Sequence, residues 1–473
     1  MRRLPPPRPL RRSCRVETAF SPTSRLADGA GSVVADPLWA PQSADTSTLS
    51  SVSRTYWVET LGCPKNQVDS DKLEGTMLAD GLSPAAGADS ADVVVINTCA
   101  FIHSAREESV NTILALTEAK ADGAQVVVTG CMAERYGEEL AAALPEVAQV
   151  SGFGTSVSGT PVTLGATRSA ASSPLPSFDL LNLPRPAANS PWAYVKIAEG
   201  CDRNCGFCAI PSFRGKQRSR SIDQILAEVE QTGAKEIVLV AQDLAAFGRD
   251  QGVGERQIVE LVGAVAEAVD WVRLLYLYPS DLNDRLIEAI CATGVPYFDL
   301  SLQHVSRPLV RRMRRWGEGS VFAERIDAIR AREPDAAFRS NFIVGYPGET
   351  EEDHDQLIRF VEDTRLDWCG FFSYSAEEGT YAVDLPDQIP AGLMADRLAE
   401  LNELQDQITA ERQDDRLGTT EVVLVEETGI SRSVREAPEI DGLIHVPNHL
   451  AVGQFHHVEI VEAAGPDLTG VPT

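Results

Sequence analysis

The chain has no apolar run approaching the ~18 residues that a membrane-spanning helix needs, which excludes an integral helical membrane protein. Basic residues are scarce. In 473 residues, 42 Lys and Arg stand against 69 Asp and Glu, a formal net charge of −27. Proteins that grip nucleic acid broadly do so by neutralising phosphates with Lys and Arg, so this balance argues against a broad nucleic-acid surface. The first 52 residues hold seven Arg and seven Pro but no apolar segment behind the basic start MRRLPPPRPLRRSCR, which fails as a secretory signal. Repeated prolines also spoil the amphipathic helix of a transit peptide. Residues 1–52, with Cys14, are expected to be a disordered or misannotated extension carrying +3, which leaves −30 on the remainder. Nine cysteines in so long a chain do not make a disulfide scaffold, so their grouping carries the information. Hydrophobic content of 43% is ordinary and supports full-sized cores, and at ~150 residues per domain about three domains are expected.

From Arg54 short β-branched runs alternate with helical ones: RTYWVET then Asn66–Asp80, DVVVINT then His103–Ala121, QVVVTG then Arg135–Leu144. The alternation predicts βαβ units on a parallel sheet over residues 53–154. Residues 155–191, crowded with Ser, Pro, Thr, Gly and Ala, read as a linker. Over residues 192–390 six strands are expected, near AYVKIAE, EIVLVAQ, VRLLYL, FDLSLQ, RSNFIVG and CGFFSY. Helices fall between them at Ser221–Thr232, Arg256–Ala268, Asp284–Thr293, Val321–Arg332 and Glu351–Thr364, and Ser221 with Gln224 forms a capping-box pattern. Six strands with crossover helices predict an open, partial (β/α)6 barrel. A helical connection, 391–415, leads to short β runs in 416–473 that predict a small antiparallel β-barrel. The fold class is α/β with this all-β module at its end. In such sheets chemistry gathers at the C-terminal ends of the strands.

Cysteine carries the strongest chemical signal. Cys201, Cys205 and Cys208 stand in a C-x3-C-x2-C loop directly after AYVKIAE. Three thiolates there can hold three irons of a [4Fe–4S] cube and leave the fourth free to bind and activate a small molecule. The alternative is a zinc knuckle, although zinc sites usually close with four ligands and no nearby Cys or His supplies the fourth. Cys63, Cys99 and Cys131 each follow a strand end, so parallel pairing can bring these distant thiols to one sheet edge. They read either as a second three-thiolate cluster or as three buried structural cysteines, since free cysteine is commonly buried. The first triplet tips that choice toward a cluster. Cys291 and Cys369 fall in apolar helix or strand contexts away from both triplets and are expected to be packing residues.

Other features support rather than decide. Gly345-Tyr-Pro-Gly348-Glu-Thr follows strand FIV, and Gly345 and Gly348 are candidate cofactor contacts, with a plain tight turn as the equal alternative. Arg214-Gly-Lys-Gln-Arg218-Ser-Arg220 could grip carboxylate or phosphate, or be a solvated basic loop. Arg311-Arg-Met-Arg-Arg315 reads as solvated. His445, His449, His456 and His457 lie in short β runs that split side chains between faces, so no metal site is expected there. Residues 416–473 hold three Arg, no Lys and nine acids, a net of −6, with Phe455 the only aromatic. Single-strand RNA readers combine a basic groove with aromatic platforms, and this module has neither. An acidic surface suits a basic protein partner instead.

The C-x3-C-x2-C loop opening an α/β barrel resembles the radical S-adenosylmethionine superfamily. With Cys63, Cys99 and Cys131 upstream and a terminal β-barrel that is similar to a TRAM domain, the chain resembles its methylthiotransferases from about Arg54 to Glu462. Gly62-Cys-Pro-Lys-Asn66, Asn97-Thr-Cys-Ala-Phe-Ile, Gly200-Cys-Asp-Arg-Asn-Cys-Gly-Phe-Cys-Ala-Ile-Pro, Val240-Ala-Gln-Asp, Leu302-Gln-His and Gly345-Tyr-Pro-Gly-Glu-Thr-Glu-Glu resemble the branch acting on an aspartate of ribosomal protein S-twelve. The tRNA-modifying branch usually has another trio where Pro64-Lys65-Asn66 stands. The resemblance implies a methylthiotransferase domain at 53–154, a radical SAM core at 192–390 and a TRAM domain at 416–473. It also implies two 4Fe-4S clusters. Cys201, Cys205 and Cys208 would hold the one that binds S-adenosylmethionine. Cys63, Cys99 and Cys131 would hold an auxiliary cluster carrying the sulfur, from sulfide or polysulfide. One S-adenosylmethionine would give its methyl to that sulfur. Another would be cleaved reductively to a radical that takes hydrogen from the aspartate β-carbon. No catalytic residue is assigned beyond the clusters. The implied partners are S-twelve, free or in the ribosomal subunit, and an electron donor, for a cytoplasmic monomer without a membrane partner. Trp316 stands where proline is usual in MRRxG, and Ser301 where proline usually precedes LQH. The alternatives are a tRNA methylthiotransferase with the same cofactors and a non-catalytic iron–sulfur or zinc protein that binds the ribosome.

Overall fold

A computed structural model describes residues 54–153, 179–252 and 256–473. The expected extension at 1–52 and most of the expected linker lie outside them. No described helix is long and apolar enough to cross a membrane.

The N-terminal unit runs β1 (Thr55–Thr60), α1 (Pro64–Ala79), β2 (Ser83–Pro84), β3 (Val93–Thr98), α2 (His103–Ala119), β4 (Gln125–Gly130), α3 (Cys131–Ala143) and β5 (Gln149–Val150). The strands form one parallel sheet in the order β2-β1-β3-β4-β5. β3 and β4 are nearly continuous Val and Ile because helices cover both faces of a parallel sheet. Two helices start earlier than their apolar spacing predicts. α1 begins at Pro64, whose fixed φ suits the first helical position, and Cys63 becomes its N-cap. α3 begins at Cys131 rather than Arg135, straight after Gly130, whose φ of +91° turns the chain off the strand.

The central unit contains β6 (Trp192–Lys196), β7 (Ala198–Glu199), α4 (Ile210–Arg214), β8 (Arg218–Ser219), α5 (Ile222–Thr232), β9 (Glu236–Val240), α6 (Ile258–Ala266), β10 (Trp271–Leu274) and α7 (Asp284–Ala292). It continues with β11 (Tyr297–Gln303), α8 (Arg307–Arg312), α9 (Gly319–Arg332), β12 (Ala337–Val344), α10 (Glu351–Thr364) and β13 (Trp368–Ser373). Two parallel three-stranded sheets, β10-β9-β6 and β11-β12-β13, meet at a parallel bridge between Leu277 and Leu300. There the Leu277 N–H donates to the Asp299 carbonyl and the Ser301 N–H to the Leu277 carbonyl, each at 2.9 Å. Six strands in chain order thus make the open barrel that the alternation predicts. The capping box on α5 forms as expected, with Ser221 and Gln224 bonded both ways. Val195, Leu239, Leu274 and Phe342 pack outward against the helices, whereas Tyr194, Val238, Tyr297 and Trp368 fill the interior.

α11 (Ala391–Asp414) leads to β14 (Thr420–Glu427), β15 (Ile430–Arg432), β16 (Ile444–His445), β17 (Phe455–Ala464) and β18 (Asp467–Pro472), a closed barrel in the order β14-β15-β16-β18-β17. One pairing departs from the antiparallel expectation. β18 returns from its hairpin with β17 alongside β16 and runs parallel to it. This module seals the N-terminal end of the (β/α)6 barrel. Glu236 accepts from Arg273 at 2.8 Å and from Arg432 of β15 at 2.6 Å, with all three side chains fully buried. The opposite, C-terminal end of the strands stays available for chemistry.

Candidate metal centres

The first triplet sits in the loop between β7 and α4. Gly200 takes φ +77°, and a Cβ there would collide with the carbonyls of Gly215 and Lys216. The Cys201 N–H donates to the Gly215 carbonyl at 3.0 Å, and the Gly206 N–H to the Met313 carbonyl at 2.8 Å, so the loop is pinned at both ends. Burial above all, with smaller contributions from Asp243 and Cys205, pushes the Cys201 thiol up to about 11, and burial with Cys205 and Cys201 pushes the Cys208 thiol up to about 12. Thiols held this high stay protonated unless a metal supplies the compensating charge. Arg315 donates to Cys205 Sγ at 3.2 Å and also to the Ser301 carbonyl. The Arg203 and Arg315 guanidinium groups lie over the Tyr278 ring at 3.9 and 4.2 Å. Arg203 is held in turn by Asp243, at 2.6 Å, and by Asp281.

The second triplet gathers at the C-terminal edge of the N-terminal sheet. Cys63 caps α1, Cys99 follows β3, and Cys131 is the first residue of α3. The positive ends of two helix dipoles therefore meet these thiols and favour the thiolate. Gly62 (φ +93°) leaves the space that Cys99 occupies: a Cβ on it would stand 2.8 Å from Cys99 Cβ and 2.9 Å from its Sγ. Asn66 is fully buried and ties the edge together, donating to the Leu61 carbonyl at 2.8 Å and the Thr98 carbonyl at 3.1 Å. Burial raises the Cys131 thiol, and the Arg214 guanidinium opposes that rise.

The two triplets share a junction. Arg214, the last residue of α4, donates to Cys131 Sγ through Nε at 3.3 Å and Nη2 at 3.0 Å, while Gly215 after it binds Cys201. Across the same junction Lys65 lies 3.4 Å above the Tyr276 ring. The segment after β13 closes another side. Glu377 accepts from Arg135 at 2.9 Å and from Arg106, the His103 N–H donates to Ser375 Oγ at 3.2 Å, and the Ala382 N–H donates to the Gly206 carbonyl at 2.8 Å.

Among the described residues no three Cys, His, Asp or Glu side chains gather closely enough to hold a single ion. The donor set of each site is three soft thiols, the number that three irons of a cubane would take. Cys291 is half-buried and Cys369 is buried in the core beside the central strands, far in sequence from either loop. Gly345 and Gly348 take φ +80° and +83° at the end of β12. The space beside them is filled by Met394 and Arg312, and the Gly345 N–H donates to Glu349 at 2.7 Å, so the chain's own packing already demands both glycines.

Two basic stretches differ from expectation. Arg214 and Arg220 are buried and Arg218 half-buried, all turned to the chain's own groups: Arg220 pairs with Glu228 at 2.6 Å and Arg218 with Asp179 at 3.1 Å. In Arg311–Arg315, Arg315 serves Cys205 and Arg312 donates to the Pro347 carbonyl at 3.1 Å, rather than all facing solvent. Among the described residues the exposed large aromatics are Phe101 (42%), Trp316 (46%) and Tyr381 (41%). Each fringes a cysteine loop. Phe101 stands two residues after Cys99, Trp316 follows Arg315, and the Tyr381 ring lies beside Gly206 with the Arg314 guanidinium 3.8 Å from its centre. Trp316, in the position where proline is usual, is the one that sequence alone marked out.

Comparison with known proteins places family matches on all three units. Residues 55–152 match an uncharacterized protein family, UPF0004, residues 195–361 the radical SAM superfamily, and residues 417–472 the TRAM domain. The chain is 41% identical over 434 residues to a ribosomal protein uS12 methylthiotransferase, RimO, of Synechocystis sp., covering 88% of this chain and 97% of that one. It is 42% identical over 399 residues to that of Moorella thermoacetica, covering 82% and 92%. Against that of Streptomyces coelicolor it is 38% identical over 478 residues, covering 89% and 97%.

Proposed function

The chain belongs to the ribosomal protein uS12 methylthiotransferase family, and from that premise we propose how its six cysteines divide the work. It is a radical SAM enzyme that transfers a methylthio group to uS12, with a [4Fe–4S] cluster and S-adenosylmethionine as cofactors. On our reading Cys201, Cys205 and Cys208 hold that cluster. Cys63, Cys99 and Cys131 hold a second one that carries the sulfur, received as sulfide or polysulfide, and the acceptor is the β-carbon of an aspartate. When bound, the first cluster would supply the electron and S-adenosylmethionine the carbon radical, chemistry that is needed because that C–H bond has no proton that a side-chain base could remove.

The chain's own residues hold and shield these groups. Arg315 steadies Cys205, Arg214 steadies Cys131, and the Glu377 clamp with Arg106 and Arg135 fixes the segment between the two loops and keeps water from that side. Gly345 and Gly348 shape the turn at the barrel mouth, where backbone can approach S-adenosylmethionine. Phe101, Trp316 and Tyr381 offer a macromolecular acceptor the exposed aromatic contacts that anchor interfaces. The observation that carries the two-cluster reading is the shared junction, with Cys131 and the Cys201 loop both bonded to Arg214–Gly215. We further read the enzyme as a cytoplasmic monomer, fed by a separate electron donor and without a broad nucleic-acid surface.

Intact-mass analysis of uS12 from deletion and wild-type cells tests the acceptor. One methylthio group should be present only with the gene. An unchanged uS12 together with loss of a methylthiolated tRNA base would establish the tRNA acceptor instead. Anaerobic purification tests the cofactors, since two clusters give brown protein with about eight irons and zinc gives a colourless one.

A further inference from the structure

We propose that Arg214 is a positioning residue for the second cluster, setting its potential through hydrogen bonds to Cys131 and fixing its place relative to the Cys201 loop. This rests on the two-cluster reading. All the N–H groups of the guanidinium have acceptors within the chain. Nε and Nη2 donate to Cys131 Sγ, and Nη2 also donates to Asn66 Oδ1 at 2.7 Å. Nη1 donates to Glu199 at 2.9 and 3.0 Å and to Asp69 at 3.2 Å. The Phe153 ring lies 4.4 Å from the guanidinium carbon. Lys196 pairs with the same two carboxylates, at 2.7 Å on Glu199, so two cations face two anions and the network is neutral before any cluster is added. The guanidinium acts on the sulfur both through its charge and through directed N–H···S bonds, and only the bonds depend on its planar fork.

Such bonds favour the more electron-rich state of a thiolate-bound cluster and raise its potential. They also orient the thiol. The next residue bonds the Cys201 N–H, so Arg214 is a strut between the two loops. A lysine keeps the charge but cannot supply the planar fork.

The test uses the full-length chain with C201A, C205A and C208A, so that only the second cluster remains, reconstituted anaerobically with iron and sulfide. Redox titration followed by electron paramagnetic resonance then compares Arg214 with Arg214→Lys. A more negative midpoint potential and altered g values are expected. Arg220→Gln removes a buried arginine that touches no cysteine and should leave both readouts unchanged. If the lysine variant does not fold, Arg214→Gln reads the same downward shift. An unchanged potential and spectrum in whichever variant folds would overturn the proposal. So would an equal shift from Arg220→Gln. A parent chain with Arg214 intact that binds no cluster would instead overturn the two-cluster reading.

Discussion

Gly62→Ala probes the second triplet without touching a cysteine. Gly62 has φ +93°, and an added Cβ would stand 2.8 Å from Cys99 Cβ, 2.9 Å from Cys99 Sγ and 3.4 Å from Asn66 Nδ2. A left-handed backbone costs a residue with a Cβ about 1–2 kcal/mol. Forcing a methyl into a filled site adds about 1–3 kcal/mol. Together these make about 2–5 kcal/mol, below the ~5–15 kcal/mol that holds a typical domain folded. The chain should therefore fold and relieve the overlap locally, by moving Cys99 away from Cys63. Gly81→Ala is the matched control, because Gly81 has φ +83° but nothing within 4 Å of the added Cβ. Iron content after anaerobic reconstitution is the assay, with thermal unfolding alongside. Gly62→Ala should retain about four irons, while the parent and Gly81→Ala retain about eight. A full iron complement in Gly62→Ala would refute Cys99 as a ligand. Equal iron loss in Gly81→Ala would refute a local origin for the effect.

Three further outcomes follow from the same structure. Glu236→Gln leaves Arg273 and Arg432 facing each other in a dry interface, so stability should fall by about 3–5 kcal/mol and the C-terminal barrel should undock first, seen as an earlier unfolding step in calorimetry. Burial lowers the His304 pKa to about 4, with Asp353 acting against the shift. The unfolded chain then binds the extra proton between about pH 6.5 and 4, so stability is lost as pH falls through that window, by about 3 kcal/mol in all; His304→Gln should flatten this acid limb in denaturant titrations. Cys291→Ala and Cys369→Ala should keep the full iron content and lose about 1 kcal/mol of stability at most, and iron loss in either would place a ligand outside the two triplets.

What sequence makes legible here is whatever depends on short spacing. Cys201, Cys205 and Cys208 share one loop, and each of the other three follows a run of β-branched residues. Strand ends alone therefore bring them to one edge once the sheet is parallel. The six-stranded barrel is legible for the same reason. Helix starts at Pro64 and Cys131 are less so, because the first turn of each carries no apolar period and its start is set by a proline ring and a glycine turn. Contacts between distant segments are not legible at all. Nothing near Arg214 announces that its guanidinium meets Cys131, 83 positions away, nor near Arg315 that it meets Cys205, 110 positions away. A run of arginines reads the same whether it faces water or sulfur.

Those hidden arginines also change the meaning of the chain's charge. Seven are buried among the described residues, from Arg185 to Arg432, and each is paired with a carboxylate. Lys72 and Lys196 are buried and paired as well. Neutral pairs inside remove cations and anions equally, so the net of −27 is carried by a surface with proportionally fewer positive groups than 42 suggests. The interior cations sit where the cysteine loops and domain junctions need directed donors. The exterior is left acidic, and the C-terminal segment 416–473 carries −6 in all over 58 residues. Acidic surfaces in general attract basic proteins and repel phosphate-rich RNA, which is the physical basis of the protein acceptor proposed above.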